Sequence, residues 1–169
     1  MAATYEPIAS QTLGSDTASV TFSGIAADWT DLVLSIAGRG TAALSSVLLQ
    51  VQFNSDTGSN YSASYIWGDG SSAYSGRQSN VTYAPVGNMA AASATSNVFT
   101  PFALTFMSYA NTNVYKTTLA ANAISGTLVG RNVSLWRSTS AITSITLSPN
   151  SGNFATGCTF SLLGIKAAA

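Results

Sequence analysis

The 169-residue chain has no histidine, a single cysteine, four prolines, and only six basic and six acidic residues. Each scarcity excludes something. Without histidine, the commonest general base and the commonest transition-metal ligand are both missing, so Ser–His–Asp and Cys–His mechanisms cannot be built. Cys158 alone forms no intrachain disulfide, and its neighbours Phe154 and Phe160 mark it as a buried, inert thiol. The basic residues Arg39, Arg77, Lys116, Arg131, Arg137 and Lys166 are scattered singly. Phosphate backbones are bound by clustered cations, so nucleic acid is not an expected partner. No apolar run approaches the ~18 residues of a membrane-spanning helix, so no membrane association is expected either. The opening MAATYEPIASQTL lacks the basic start and apolar stretch of a secretory signal. Synthesis in the cytoplasm follows as the expectation, with any outside location reached by assembly or lysis.

Charged residues make up 7% of the chain, against roughly 25% in an ordinary soluble protein. The formal net charge is zero, so self-repulsion is weak and nothing electrostatic opposes association. The remaining polarity is mostly Ser, Thr, Asn and Gly, a composition suited to life in an assembly.

What is present is period-two alternation, which predicts strands with one face buried. Val20 and Phe22 alternate with Thr and Ser; Leu32, Leu34 and Ile36 share a face; Val47, Leu49, Val51 and Phe53 share another, with Gln50 and Gln52 opposite. Further strands are expected at Tyr61 to Trp67, Val98 to Met107, Val114 to Ala120, Asn132 to Trp136, Ile142 to Leu147 and Thr159 to Ile165. Met89 to Ser96 has the composition of either a helical turn or a loop. About eight to ten short antiparallel strands without a long amphipathic helix indicate an all-β, jelly-roll-like β-sandwich. Residues 17–169 are expected to form this single domain, preceded by an extended N-terminal arm, residues 1–16.

Carboxylate chemistry is the surviving enzymatic option, because two Asp or Glu side chains can cleave a glycoside. The acids are Glu6, Asp16, Asp28, Asp31, Asp56 and Asp69, all in or beside predicted turns, where Asp ordinarily accepts from its own backbone. No catalytic residue is therefore assigned. Asn54-Ser55-Asp56-Thr57-Gly58-Ser59-Asn60 groups several oxygens that calcium can use, with Asp69 as a further ligand if the two loops meet. It has a single carboxylate and lacks the terminal Glu of an EF-hand, so no metal or cofactor is expected. Gly38-Arg39-Gly40 and Gly68-Asp69-Gly70 lack the Lys and helix of a phosphate loop and read as turns. Tyr61, Tyr65, Trp67, Tyr74 and Tyr83 gather aromatic rings in one stretch, suited to stacking on glycan, to a subunit contact, or simply to filling a core.

Several segments, taken in order, resemble a family of small virion proteins and terminal domains of tailed phages, especially those of cyanobacteria and marine bacteria. They are Tyr5-Glu6-Pro7-Ile8-Ala9, Ser19-Val20-Thr21-Phe22, Trp29-Thr30-Asp31-Leu32-Val33-Leu34 and Phe53-Asn54-Ser55-Asp56-Thr57-Gly58-Ser59-Asn60-Tyr61-Ser62. Beyond them come Ser108-Tyr109-Ala110-Asn111-Thr112, Leu135-Trp136-Arg137-Ser138-Thr139-Ser140-Ala141-Ile142-Thr143-Ser144-Ile145 and Phe160-Ser161-Leu162-Leu163-Gly164-Ile165-Lys166. The resemblance implies a β-rich structural module of capsid exteriors or tail appendages, with no catalytic motif. Without a collagen-like or coiled-coil shaft, the chain is expected to be a capsid decoration (cement) protein. It would sit as a homotrimer on the major capsid protein lattice, with Tyr5, Pro7 and Ile8 on an arm that adds to a neighbour's sheet. The alternative is a tail-appendage domain that recognises host-surface glycan through the aromatic segments 61–67 and 72–83.

Overall fold

The computed structural model describes residues 5–166. Twelve strands form, and the described residues contain no helix: β1 Tyr5–Thr12, β2 Val20–Ser23, β3 Asp31–Gly38, β4 Ser46–Phe53, β5 Tyr61–Gly68, β6 Ala73–Val81, β7 Ala84–Ala90, β8 Thr100–Met107, β9 Lys116–Ile124, β10 Leu128–Trp136, β11 Ser144–Pro149 and β12 Thr159–Ile165. All pairings are antiparallel. A large sheet runs β1-β12-β3-β8-β9-β10-β5-β6, and a small one runs β2-β11-β4-β7. From β2 to β12 the chain passes back and forth between the two, pausing twice in the large sheet, at the β5–β6 hairpin and the β8–β9–β10 meander. This is the sandwich of a jelly roll, with three strands where one would suffice and β1 and β12 extending one edge. Those additions carry the strand number past the eight to ten expected.

The core lies where the small sheet covers the large one. On the covered side, side chains in register form rows across the large sheet. One row runs Phe160, Ile36, Phe102, Asn122, Gly130, Trp67, Tyr74. Its first three members are buried in the main apolar cluster, together with Leu49 and Val51 of β4 and Ile145 and Leu147 of β11. Four strands cannot cover eight, so beyond β7 the row becomes polar and then aromatic.

Three parts of the sequence reading need correction. Residues expected as a free arm form β1, an edge strand paired with the chain's own β12, and Glu6 ties it down by accepting from Trp29 Nε1 (3.2 Å) and Lys166 Nζ (3.1 Å). The first four residues of that arm lie outside the described residues. Tyr61 to Trp67 is a strand as expected, but most of 72–83 is an unexpected strand: together they form the β5–β6 hairpin, whose edge strand β6 has little apolar alternation because no second sheet covers it. At Met89 to Ser96 no helical turn forms; Met89 and Ala90 end β7 and the rest is loop.

Candidate functional site

The turn carboxylates are committed to their own surroundings. Asp56 Oδ1 accepts from Gly58 N (2.8 Å) and Oδ2 from Trp136 Nε1 (2.6 Å), while Asn60 Nδ2 reaches both oxygens. Desolvation pushes this carboxyl's pKa up, but the hydrogen bonds from Trp136, Asn60 and Gly58 outweigh it and hold the value below the ordinary range. Asp69 Oδ1 accepts from the amides of Ser71 and Ser72. Asn54 Oδ1 accepts from the amides of Thr143 and Ser144, locking the loop before β11. Asp69 could join the 54–60 loop as a further calcium ligand only if loops 54–60 and 68–72 met, but they lie at opposite ends of β5, roughly 23 Å apart for an eight-residue strand. The same separation places Asp56 and Asp69 well beyond the ~5–9.5 Å of a glycosidase carboxylate pair. Among the described residues no three His, Cys, Asp or Glu side chains group as a metal site.

Arg39 also serves the fold. Its guanidinium donates to the carbonyl oxygens of Thr95, Val98 and Ala94 at 2.8 to 3.1 Å and so fastens the loop after β7. Cys158 is fully buried, as its flanks suggested, and desolvation raises its thiol pKa.

The five aromatic candidates do not form one surface. Tyr61 is completely buried beside Phe53 and Trp136, and Tyr83 is half-buried in the bend between β6 and β7. Tyr65, Trp67 and Tyr74 stay together on the covered side of the β5–β6 hairpin. Trp67 and Tyr74 are cross-strand partners stacked at 4.0 Å with planes 15° apart, and Tyr65 lies across Gly76, where any side chain would collide with its ring.

These rings border a cleft of about 230 Å³ between the hairpin and β7. Its floor is Trp67, Tyr65, Gly130, Asn132, Asn122 and Gln78, and β7 forms the wall through Pro85, Gly87 and Asn88. β7 is the small sheet's edge strand, and its unpaired backbone is met by side chains from the large sheet. Ser134 Oγ donates to Pro85 O (2.7 Å), Asn122 Nδ2 donates to Asn88 O (2.7 Å), and Ala90 N donates to Thr100 Oγ1 (2.8 Å). That is why polar residues hold buried positions on β8, β9 and β10. Gly87, at φ +121°, is required twice over, since any Cβ there would strike the Asn122 side chain. Asn122 Oδ1 and Gln78 Oε1 are buried without a hydrogen-bond partner.

A second surface was not foreseen from the sequence. On the outer face of the large sheet, Ile66 (60% exposed), Val129 (62%), Val133 (44%), Leu119 (42%) and Met107 (39%) all project to solvent. Ala103, Ala121 and Ala123 lie among them. Across β8, β9, β10, β5 and β6 the only charged side chains on this face are Arg131 and Arg77, among the described residues. The small sheet's outer face differs: beside a half-buried Leu48 it carries Thr21, Ser46, Gln50, Gln52, Thr146 and Ser148. Of the arm candidates, Tyr5 (56% exposed) and Pro7 are exposed on β1, while Ile8 packs against the core at a bulge.

No family model matches the chain, and no curated protein matches it. Among solved structures it is similar to Caenorhabditis elegans galectin LEC-6, with 9% identity, 94% of this chain and 96% of that chain covered, and a TM-score of 0.33. A likeness at that score carries no argument about function.

Proposed function

We propose that the protein is a structural subunit of a tailed-phage virion, a decoration protein that binds the outer surface of the major capsid protein lattice. The observation that carries this reading is the outer face of the large sheet. Its apolar part, the five strands β8, β9, β10, β5 and β6, spaced ~4.8 Å apart and ~24 Å long, presents about 500 Å², more than half of one partner's ~800 Å² share of a standard protein interface. An apolar, nearly uncharged surface of that extent is at the upper end of what a free monomer exposes and is often where a partner docks.

The charges on the face also indicate the kind of partner. Arg131 and Arg77 stand there with no carboxylate among the described residues of β8, β9, β10, β5 and β6. Stacking two copies face to face would bring like charges together, whereas a different chain offering apolar groups and carboxylates is complementary. On this reading the capsid shell is that partner, and binding only the assembled shell stabilises it by mass action. Oligomerisation, as the expected homotrimer, would then use other surfaces, the open edge of β1 among them.

Copy number tests the reading. In particles of the encoding phage, quantitative mass spectrometry should find hundreds of copies of the chain per virion. A few to a few tens would instead assign it to the tail appendage, the alternative expected from the sequence.

A further inference from the structure

We infer that the cleft between the β5–β6 hairpin and β7 is a binding site for a neutral saccharide, separate from the docking face. Three features of the covered side of the large sheet combine. First, Trp67 stacks on Tyr74 with one ring face, and its other face is turned toward β10, where its register partner is Gly130. Glycine has no side chain, so that ring face stays open and Gly130 becomes the floor of a slot. Second, the far side of the slot is Asn122 on β9, the register partner of Gly130. The backbones of Trp67 and Asn122 stand two interstrand spacings apart, about 9.6 Å, and Asn122 Oδ1 reaches over Gly130 to 3.0 Å from where a Cβ would lie, so a ring stacked on the indole would lie against that oxygen.

Third, the polar groups around the slot are amides. Asn122 is 4% exposed and its Oδ1 has no hydrogen-bond donor, nor has Gln78 Oε1. Buried acceptors in this condition are uncommon. Asn122 Oδ1 sits beside Gly87 and Gly130, the two positions where a Cβ would crowd it. The sequence thus keeps a ring face clear on one side and an amide acceptor on the other. None of the lining residues is charged. An apolar ring face opposite neutral acceptors fits a ligand with an apolar C–H face and several hydroxyl donors, which describes a neutral sugar. An acidic sugar would meet no cation there.

The test is titration of the folded protein with neutral gluco-, galacto- and manno-oligosaccharides, and with oligogalacturonate as the acidic comparison, read by isothermal calorimetry and by tryptophan fluorescence. At least one neutral series should bind saturably and the uronate should not. Trp67→Ala should weaken binding about tenfold or more, and Gly130→Val, which fills the slot, should abolish it. Should either variant fail to fold, Tyr74→Ser, which removes the ring that braces Trp67, should weaken binding as well. Val133→Asp on the opposite face should leave it unchanged. Absence of saturable binding to every neutral series, or equal binding by wild type and the slot variants, would overturn the inference. The outcome is independent of whether the outer face docks on a capsid.

Discussion

The Tyr61 hydroxyl bonds to both ends of the turn 53–56, which the Asp56 N to Phe53 O hydrogen bond (2.9 Å) also closes. It donates to Asp56 O (3.0 Å) and accepts from Phe53 N (3.1 Å), inside a ring cluster with Phe53 and Trp136. Tyr61→Phe leaves both backbone groups unsatisfied and should cost about 1–3 kcal/mol in urea denaturation. Desolvation raises the hydroxyl's pKa to about 12, so the folded state disfavours the phenolate. Stability from this group is complete below the unfolded value of 10 and is lost as pH climbs from there toward 12, by on the order of 2 kcal/mol. The gap in unfolding free energy between wild type and Tyr61→Phe should therefore narrow from pH 9.5 to pH 11.5; a gap that stays constant would refute the assignment. Lys116 acts in the opposite sense. Its ammonium is buried and donates to the carbonyls of Asn111, Val114 and Thr139 at 2.5 to 3.1 Å, and desolvation lowers its pKa. For a base whose folded pKa is depressed, stability rises as pH passes from that value up to 10.5. At the acid end, Asp56 contributes stability above 3.8 that is lost as pH falls through its lower folded value. Asp56→Asn should flatten the acid limb of the pH–stability curve and lower the midpoint at neutral pH.

At the scale of elements, β10 explains both what the sequence disclosed and what it concealed. Asn132 to Trp136 reads as a strand, and the structure has one there. Its faces, however, are the reverse of hydrophobic-in, polar-out. Asn132 and Ser134 are buried to serve the backbone of β7, while Val129 and Val133 face outward. Alternation reports the period of a strand but not which face the second sheet covers, so the docking face could not be read from the chain. β2, β3, β4 and β11 were legible because each alternates a buried, largely apolar face with a more polar one. β6 and β7 were not: one has no covering layer, and the other carries Pro85 and a glycine at φ +121°, residues that strand interiors disfavour. The aromatic stretch did point to Trp67 and Tyr74, yet Gly130 and Asn122 come from strands more than 45 residues later, and only the register assembles them into a slot. Gly87→Ala should cost more than about 1 kcal/mol through positive φ and collision with Asn122, and thermal unfolding will measure it. In the double variant Gly87→Ala/Asn122→Ala the collision is removed, so the two effects should be less than additive.

For the molecule as a whole, the two sheets divide the labour. The small sheet shows water a neutral polar surface. The large sheet presents an apolar outer face and, where the small sheet stops short, a cleft lined with rings and amides. A net charge of zero means that little long-range repulsion keeps copies or partners apart. Val133→Asp tests the docking face with least disturbance, because residue 133 is exposed and an exposed substitution should change stability by no more than about 1 kcal/mol. The decisive measurement is binding of purified protein to phage heads that lack it, followed by co-sedimentation. Wild type should saturate the heads at hundreds of copies, while Val133→Asp, with an unchanged melting profile, should bind at least tenfold more weakly. Failure of the wild type to bind heads, or equal saturation by the variant, would contradict the account.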